Sequence, residues 1–410
     1  MPIAINGASV ALSVTRPAQR TPLTFSGTAG QRLTVAYTAA TVGARITALN
    51  PDGTTLVASG AFGTPSAALD LPVLPTTGSY TIFIDPNAVT GSMTVTVSEE
   101  VAGSITIGGA AVPVSIARPG QRARLTFSGT AGQRLDLGLT GTTITSGTTS
   151  ILNPDGSTLA SVAFGTSNAA VDTPPLPVTG SYAVLVDPGS TYTGTITLTL
   201  SEEVSGTIAA GGSAVPVSIT RAGQRARLTF SGTAGQRVSV NPVPYTISQS
   251  LVSIIKPDGS TLGSTDVGSL YYSFLEPQTL PTTGTYAVLA DPAQAYTGTM
   301  TVTLYDVPAD ITGSLTINGP AVTVNLSVGQ QASFTFPATA GQAITAHGAN
   351  STIGCTNIFL TYPSGATSSS SPCTASFSMS NTPSQNGTFT FRVDPSKANA
   401  GSVDLSVTSP

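Results

Sequence analysis

His347 is the only imidazole in a chain of 410 residues, and its neighbours are Ala346 and Gly348. A Ser–His–Asp relay would need that ring as its base. Serine is plentiful, but no Gly-x-Ser-x-Gly elbow in a strand–turn–helix setting accompanies the histidine. His347 therefore reads as a structural residue. Adjacent carboxylates stand at Glu99–Glu100 and at Glu202–Glu203. Such pairs could divide the roles of acid and base, or contribute to the oxygen shell of a hard cation. Their position between repeats points instead to solvated linker residues. No cysteine–histidine zinc spacing and no phosphate loop occur. The expectation is a non-enzymatic chain with no catalytic, cofactor-binding or metal-binding residue and no cofactor.

Two cysteines, Cys355 and Cys373, lie 18 residues apart with the turn Tyr362–Gly365 between them. Strands flanking such a turn can return into register and bring the sulfurs within reach, so a disulfide is expected. It would contribute about 3 kcal/mol on the chain-entropy estimate, and it implies an oxidising compartment. Sequons at Asn325, Asn350 and Asn386 fall in the same part of the chain and are candidate glycosylation sites. Arginines recur in matching places: Arg20 and Arg32, Arg122 and Arg134, Arg225 and Arg237. In a hairpin centred on SGTAG, Arg134 would lie nearly across from Phe127 and cover its ring. The same recurrence makes these arginines candidate contacts in an assembly of equivalent surfaces. Tyr80, Tyr182 and Tyr286 read as core residues with bonded hydroxyls rather than sugar-stacking platforms.

What must position these residues is a repeat. LTFSGTAGQR occurs at Leu23–Arg32, Leu125–Arg134 and Leu228–Arg237, with the altered copy FTFPATAGQA at Phe334–Ala343. Three further landmarks keep the same order. The turns are NPDG, NPDG, KPDG and YPSG; the glycine-led strands are GSYTIFIDP, GSYAVLVDP, GTYAVLADP and GTFTFRVDP. The closing strands are GSMTVTVSEE, GTITLTLSEE, GTMTVTLYDV and GSVDLSVTSP. Boundaries are expected near residues 102, 205 and 311, giving domains 1–102, 103–205, 206–311 and a diverged 312–410. On this alignment Met1 falls opposite Gly103 and Pro410 opposite Glu203, which reads as a segment of a longer array, or an incomplete gene model, without leader or anchor.

Charged residues are 8 % of the chain, net charge is −4, and 40 % of residues are hydrophobic. Mean hydropathy is +0.23. No basic stripe suggests nucleic acid, and no apolar run reaches the length that spans a bilayer. Short segments rich in Val, Ile, Leu, Thr and Tyr alternate apolar with polar, and turn residues punctuate them about every ten residues. In the second repeat they are residues 104–107, 112–116, 123–128, 134–140, 149–152, 158–163, 181–187 and 195–200. The expected fold is all-β: four tandem antiparallel β-sandwich domains, Ig-like or jelly-roll-like, independent of one another and set in an extended row.

The order GQRARLTFSGTAGQRLDLGL, ILNPDGSTLAS, LPVTGSYAVLVDP and TGTITLTLSEE resembles the bacterial pre-peptidase C-terminal domain and its relatives. The resemblance implies β-sandwich modules appended in tandem to secreted proteases and surface proteins. Some relatives bind calcium or collagen. Asp85, Asp187, Asp291 and Asp394 stand singly in their DP motifs, so neither property carries over. The functional expectation is an extracellular structural subunit, a segment of a surface fibre or filament. The alternative is an adhesin or binding array with a glycan or surface ligand. With two lysines in the chain, sheet edges have little charge protection. Homotypic assembly is expected, either the first repeat of one chain meeting the fourth of another or lateral contacts between arrays.

Overall fold

The computed structural model describes every residue except 18, 87, 88, 190 and 269–272. Strands make up 57 % of the protein. Among the described residues the helical content is one short turn at Ala293–Ala295.

The second repeat shows the pattern. Its four-stranded sheet runs, in spatial order, Val112–Ile116, Gly194–Glu202, Leu135–Thr140 and Ala169–Asp172, all antiparallel. Its five-stranded sheet runs Thr158–Phe164, Gly147–Leu152, Gly180–Pro188, Ala123–Gly129 and Val101–Ser104. Alternating side chains from both sheets meet in one apolar cluster that includes Leu125, Phe127, Leu137, Tyr182, Val184 and Leu198. Phe127 and Tyr182 are cross-strand partners, and their rings stack with centroids 5.6 Å apart. The buried Tyr182 hydroxyl donates to the Val178 carbonyl at 2.6 Å, which removes the cost of burying an unpaired hydroxyl. The same stack recurs as Phe25–Tyr80, Phe230–Tyr286 and Phe336–Phe389.

The expectation of four tandem antiparallel β-sandwich domains in an extended row is corrected. The sheets are not purely antiparallel: Val101–Ser104, Val204–Thr207 and Ile311–Ser314 each pair in parallel with the first strand of their own large sheet. The repeats are not independent either. Strand Gly91–Glu99 ends one repeat and strand Val101–Ser104 opens the next, with only Glu100 between them. The chain divides into two compact units, and Thr220–Gln224 and Ala293–Thr297 of the third repeat belong to the unit that contains Met1–Glu203. The architecture is a repetitive, solenoid-like all-β array, in which a repeat completes its burial against its neighbour.

A local expectation fails for a related reason. SGTAG does not close a hairpin. Ala123–Gly129 pairs with Gly180–Pro188, whereas Leu135–Thr140 pairs with Gly194–Glu202 in the other sheet. The segment is a crossover between sheets, and short loop length alone does not distinguish the two. The NPDG segment does link paired strands, with Gly156 N donating to Asn153 O at 2.8 Å. Strand Ala169–Asp172 has no counterpart among the eight expected, because its four residues lie between loops rich in Ser, Thr and Pro.

Candidate functional site

The outer face of the four-stranded sheet is where successive repeats meet. Strands Leu33–Thr38 and Leu135–Thr140 are buried on both faces over their first five residues, unlike a strand with one wet side. One face rests on the repeat's own core. On the other, Thr34, Ala36, Thr96 and Ser98 are buried in the first repeat, and Asp136, Gly138, Thr199 and Ser201 in the second.

A short loop at the start of the following repeat covers that face. Gly120 has φ +72°, and a Cβ built on it would stand 2.9–3.0 Å from the side chains of Ala36, Ala68 and Thr34. Gly223, at φ +75°, sits tighter: its Cβ would meet the Cα of Gly138 at 2.6 Å. Glycine alone meets both demands, a left-handed backbone and a contact without side-chain room. In the third junction the loop is one residue shorter, and Gly329 lies against Pro277 and Ser239.

Polar groups lock the loops. Gln121 Oε1 accepts from Ala117 N at 3.0 Å while its Nε2 donates to the Glu99 carbonyl at 3.0 Å. Gln224 Nε2 donates to Glu202 O at 2.9 Å, and Gln330 Nε2 to Ala309 O at 2.6 Å. Arg118 donates to the backbone carbonyls of Asn6 and Gly7. Arg221 reaches the Gly109 carbonyl and donates to Ser201 Oγ at 2.7 Å.

Charge gathers beside the first loop. Glu100, whose side chain is 6 % exposed, receives Arg124 at 2.8 Å, with Arg32 and Arg122 each at 3.8 Å. A buried carboxylate needs such partners, since removing one strands the other without solvent. Arg122 also bonds Asp70 of the preceding repeat at 2.8 Å. Burial pushes the Asp187 carboxyl above the usual aspartate range; Asp70 and Glu100 add to the rise and Arg122 opposes it. In the third junction Gln331 takes the place of Arg122. Burial raises Asp394 there, against the lowering effect of Arg392 and with Asp310 adding to it. Burial and the nearby Asp394 charge raise Glu276, while Arg237 pairs with Asp310 at 2.9 Å.

The residues singled out from sequence are distributed as follows. Glu99 Oε1 accepts from Gln31 Nε2, and Glu202 Oε1 from Gln133 Nε2, so the Glu99–Glu100 carboxylates take separate partners. Of the recurring arginines, Arg32, Arg122 and Arg237 belong to the junctions, whereas Arg20 pairs with Asp85 of its own repeat at 2.9 Å. The rings over Phe25, Phe127 and Phe230 are tyrosines, whereas Arg32 and Arg237 turn to Glu100 and to Asp310 with the Pro308 carbonyl. Cys355 and Cys373 form a disulfide. Asn325, Asn350 and Asn386 are exposed; Asn350 Nδ2 donates to Asp404, and Asn386 Oδ1 accepts from Ala340 N. His347 Nε2 lies 2.8 Å from Thr408 Oγ1 on the outer face of the fourth small sheet. Among the described residues, no three His, Cys, Asp or Glu side chains group to hold a metal, and no helix is long and apolar enough to cross a membrane.

The docking glycines and the Gln121 class were missed from sequence. Their signal was the segment RPGQR and RAGQR before the first core strand, read for its arginines only.

No family model matches the chain, and no curated protein matches it. Among solved structures, a periplasmic inhibitor of g-type lysozyme from Aeromonas hydrophila aligns over 25 % of this chain and 98 % of its own, at 11 % identity and TM-score 0.19. The PBSX exported protein XepA aligns over 49 % and 88 %, at 12 % identity and TM-score 0.19. A Clostridium perfringens ZmpB fragment, an M60 catalytic domain with two CBM51 domains, aligns over 93 % and 55 %, at 7 % identity and TM-score 0.17.

Proposed function

We propose that this protein is a non-enzymatic extracellular structural element, a stiff segment of a surface fibre or stalk. The supporting observation is the repeated lock at three successive junctions, where the same glutamine amide bonds the preceding repeat's backbone carbonyl. A ligand-binding array gains little from such locks, whereas a load-bearing spacer needs bending suppressed at every boundary. The disulfide agrees with an oxidising setting, and the 8 % charge content with close packing of like chains.

Homotypic packing in this reading is lateral, along sheet edges. Pro113 and Pro216 each remove a backbone donor from an edge strand in the middle repeats. The matching edge strands Val10–Val14 and Val322–Leu326 carry no proline and are the better candidates. Negative-stain microscopy and small-angle scattering of the purified chain test the proposal. Straight particles of uniform length, bundling side by side as concentration rises, are expected. Particles that bend freely at the boundaries would overturn the reading.

A further inference from the structure

The stacked aromatic pair of the first three repeats ends in a two-way hydrogen bond that the fourth repeat lacks the atom to make. The Tyr80 hydroxyl donates to Thr76 O at 2.6 Å and accepts from Thr76 N at 3.4 Å. Tyr182 does the same with Val178, and Tyr286 with Thr282. Two residues before each of these loop positions stands a leucine, Leu74, Leu176 or Leu280, none more than 2 % exposed. Leu74 and the Tyr80 ring both crowd the place where a side chain at Gly27 would begin, so ring, hydroxyl and leucine close this corner of the sandwich together.

In the fourth repeat Phe389 stands in the tyrosine's place, paired with Phe336 as Tyr80 is with Phe25, and its ring carries no hydroxyl for Gln385, the counterpart of Thr76. The loop keeps its course: Gly341 N donates to Pro383 O at 2.8 Å, as Gly30 N does to Leu74 O. Pro383 therefore replaces the leucine, and Ala338 replaces Gly27. Tyr362 replaces Asn50, Asn153 and Lys256 at the head of the turn. Its ring stands edge-on to Phe389 with centroids 5.7 Å apart, and its hydroxyl bonds Ser368. Between this turn and the loop 381–385 lies a cleft of 240 Å³, whose walls include Tyr362, Pro363, Asn381, Pro383, Gln385 and Phe389. No residue that lines it is charged. The volume is below the ~300–1,000 Å³ of pockets for drug-sized ligands, and it suits a single ring.

We infer that this cleft binds a neutral sugar ring, one hydroxyl of which takes the place that the tyrosine hydroxyl holds in the other three repeats. At Thr76 the backbone N–H and C=O converge on one oxygen, and a group that donates and accepts through a single atom satisfies both. A sugar hydroxyl is such a group. The carbonyls of a proline-rich peptide, the other usual occupant of an aromatic cleft, accept only. Tyr362 offers apolar ring surface to the C–H face of the sugar, and the side-chain amides of Asn381 and Gln385 supply donors and acceptors for its remaining hydroxyls. The uncharged lining selects a neutral ring over an acidic or phosphorylated one, whose charge would enter without a partner. The inference goes beyond the structural role proposed above and stands whether or not the repeats form a fibre.

Saturation-transfer NMR and titration of the full chain with the methyl glycosides of glucose, galactose, mannose and N-acetylglucosamine test the inference. At least one glycoside is expected to bind, with transfer concentrated on one face of its ring. Phe389→Tyr supplies the hydroxyl found in the other repeats. It should raise the dissociation constant at least about tenfold, a loss of about 1.4 kcal/mol, while the melting temperature stays at or above that of the wild type. Tyr362→Asn, which restores the residue of the first two repeats and adds no group inside the core, should weaken binding by a similar factor and decides the matter if Phe389→Tyr folds poorly. No binding by any of the four glycosides, undiminished binding in the folded variants, or binding of a tetraproline peptide in place of the glycosides overturns the inference.

Discussion

Replacing Gly223 with alanine should weaken the junction between the second and third repeats far more than the same change at Gly235. Both glycines are left-handed, with φ of +75° and +85°, so both variants carry the ordinary cost of a side chain there, about 1–2 kcal/mol. The surroundings separate them. A Cβ at Gly235 meets nothing within 4 Å. A Cβ at Gly223 meets the Cα and N of Gly138 at 2.6 and 2.7 Å and the carbonyl carbon of Leu137 at 3.1 Å. These are backbone atoms of a central strand and cannot rotate away, so an overpacking cost of about 1–3 kcal/mol adds to the first. Gly223→Ala should therefore cost about 2–5 kcal/mol and Gly235→Ala about 1–2 kcal/mol. Hydrogen exchange measured by mass spectrometry reads the loss locally, as faster exchange in peptides spanning residues 135–140 and 220–225. Equal costs at the two sites, or unaltered exchange at the junction in Gly223→Ala, would refute a close loop-on-sheet contact.

Three further outcomes are expected. Replacing both Cys355 and Cys373 with serine should lower the stability of the fourth repeat by about 3 kcal/mol, from the 18-residue separation; denaturant titration under non-reducing conditions measures it. Tyr182→Phe, which deletes the hydroxyl bonded to Val178 O, should cost about 1 kcal/mol and leave the ring stack intact in near-ultraviolet dichroism. Glu276 has a raised pKa in the folded chain, so the native state holds its proton more firmly than the unfolded one. Its contribution is fully present below the unfolded value of about 4.3 and is lost as pH rises through the folded value. The stability of Glu276→Gln relative to wild type should accordingly increase between pH 4 and 7, followed by chemical denaturation at each pH; a constant difference would contradict the assignment.

Sequence alone determined much of this protein. The four-fold repeat, the all-β character, the core position and bonded hydroxyl of Tyr182 and the NPDG turns follow from local rules, whereas the partner stacked on Phe127 is Tyr182 and not the expected Arg134. Alternation reports which side of a strand is apolar, and Pro and Gly report where the chain must turn. Partner choice does not follow from such rules. SGTAG has the length of a hairpin loop but crosses between sheets, because Ala123–Gly129 and Leu135–Thr140 each find a more extended apolar partner elsewhere. Only the tertiary structure decided that Thr34 and Ala36, or Asp136 and Gly138, are interior residues. Their polarity and small size mark them as solvent-facing, and what buries them is a loop about eighty residues further along the chain. The same holds for Glu100, whose setting looks like an exposed linker until three arginines from two repeats converge on it. A carboxylate's neighbours within the chain say little about its electrostatics when its partners arrive from a different repeat.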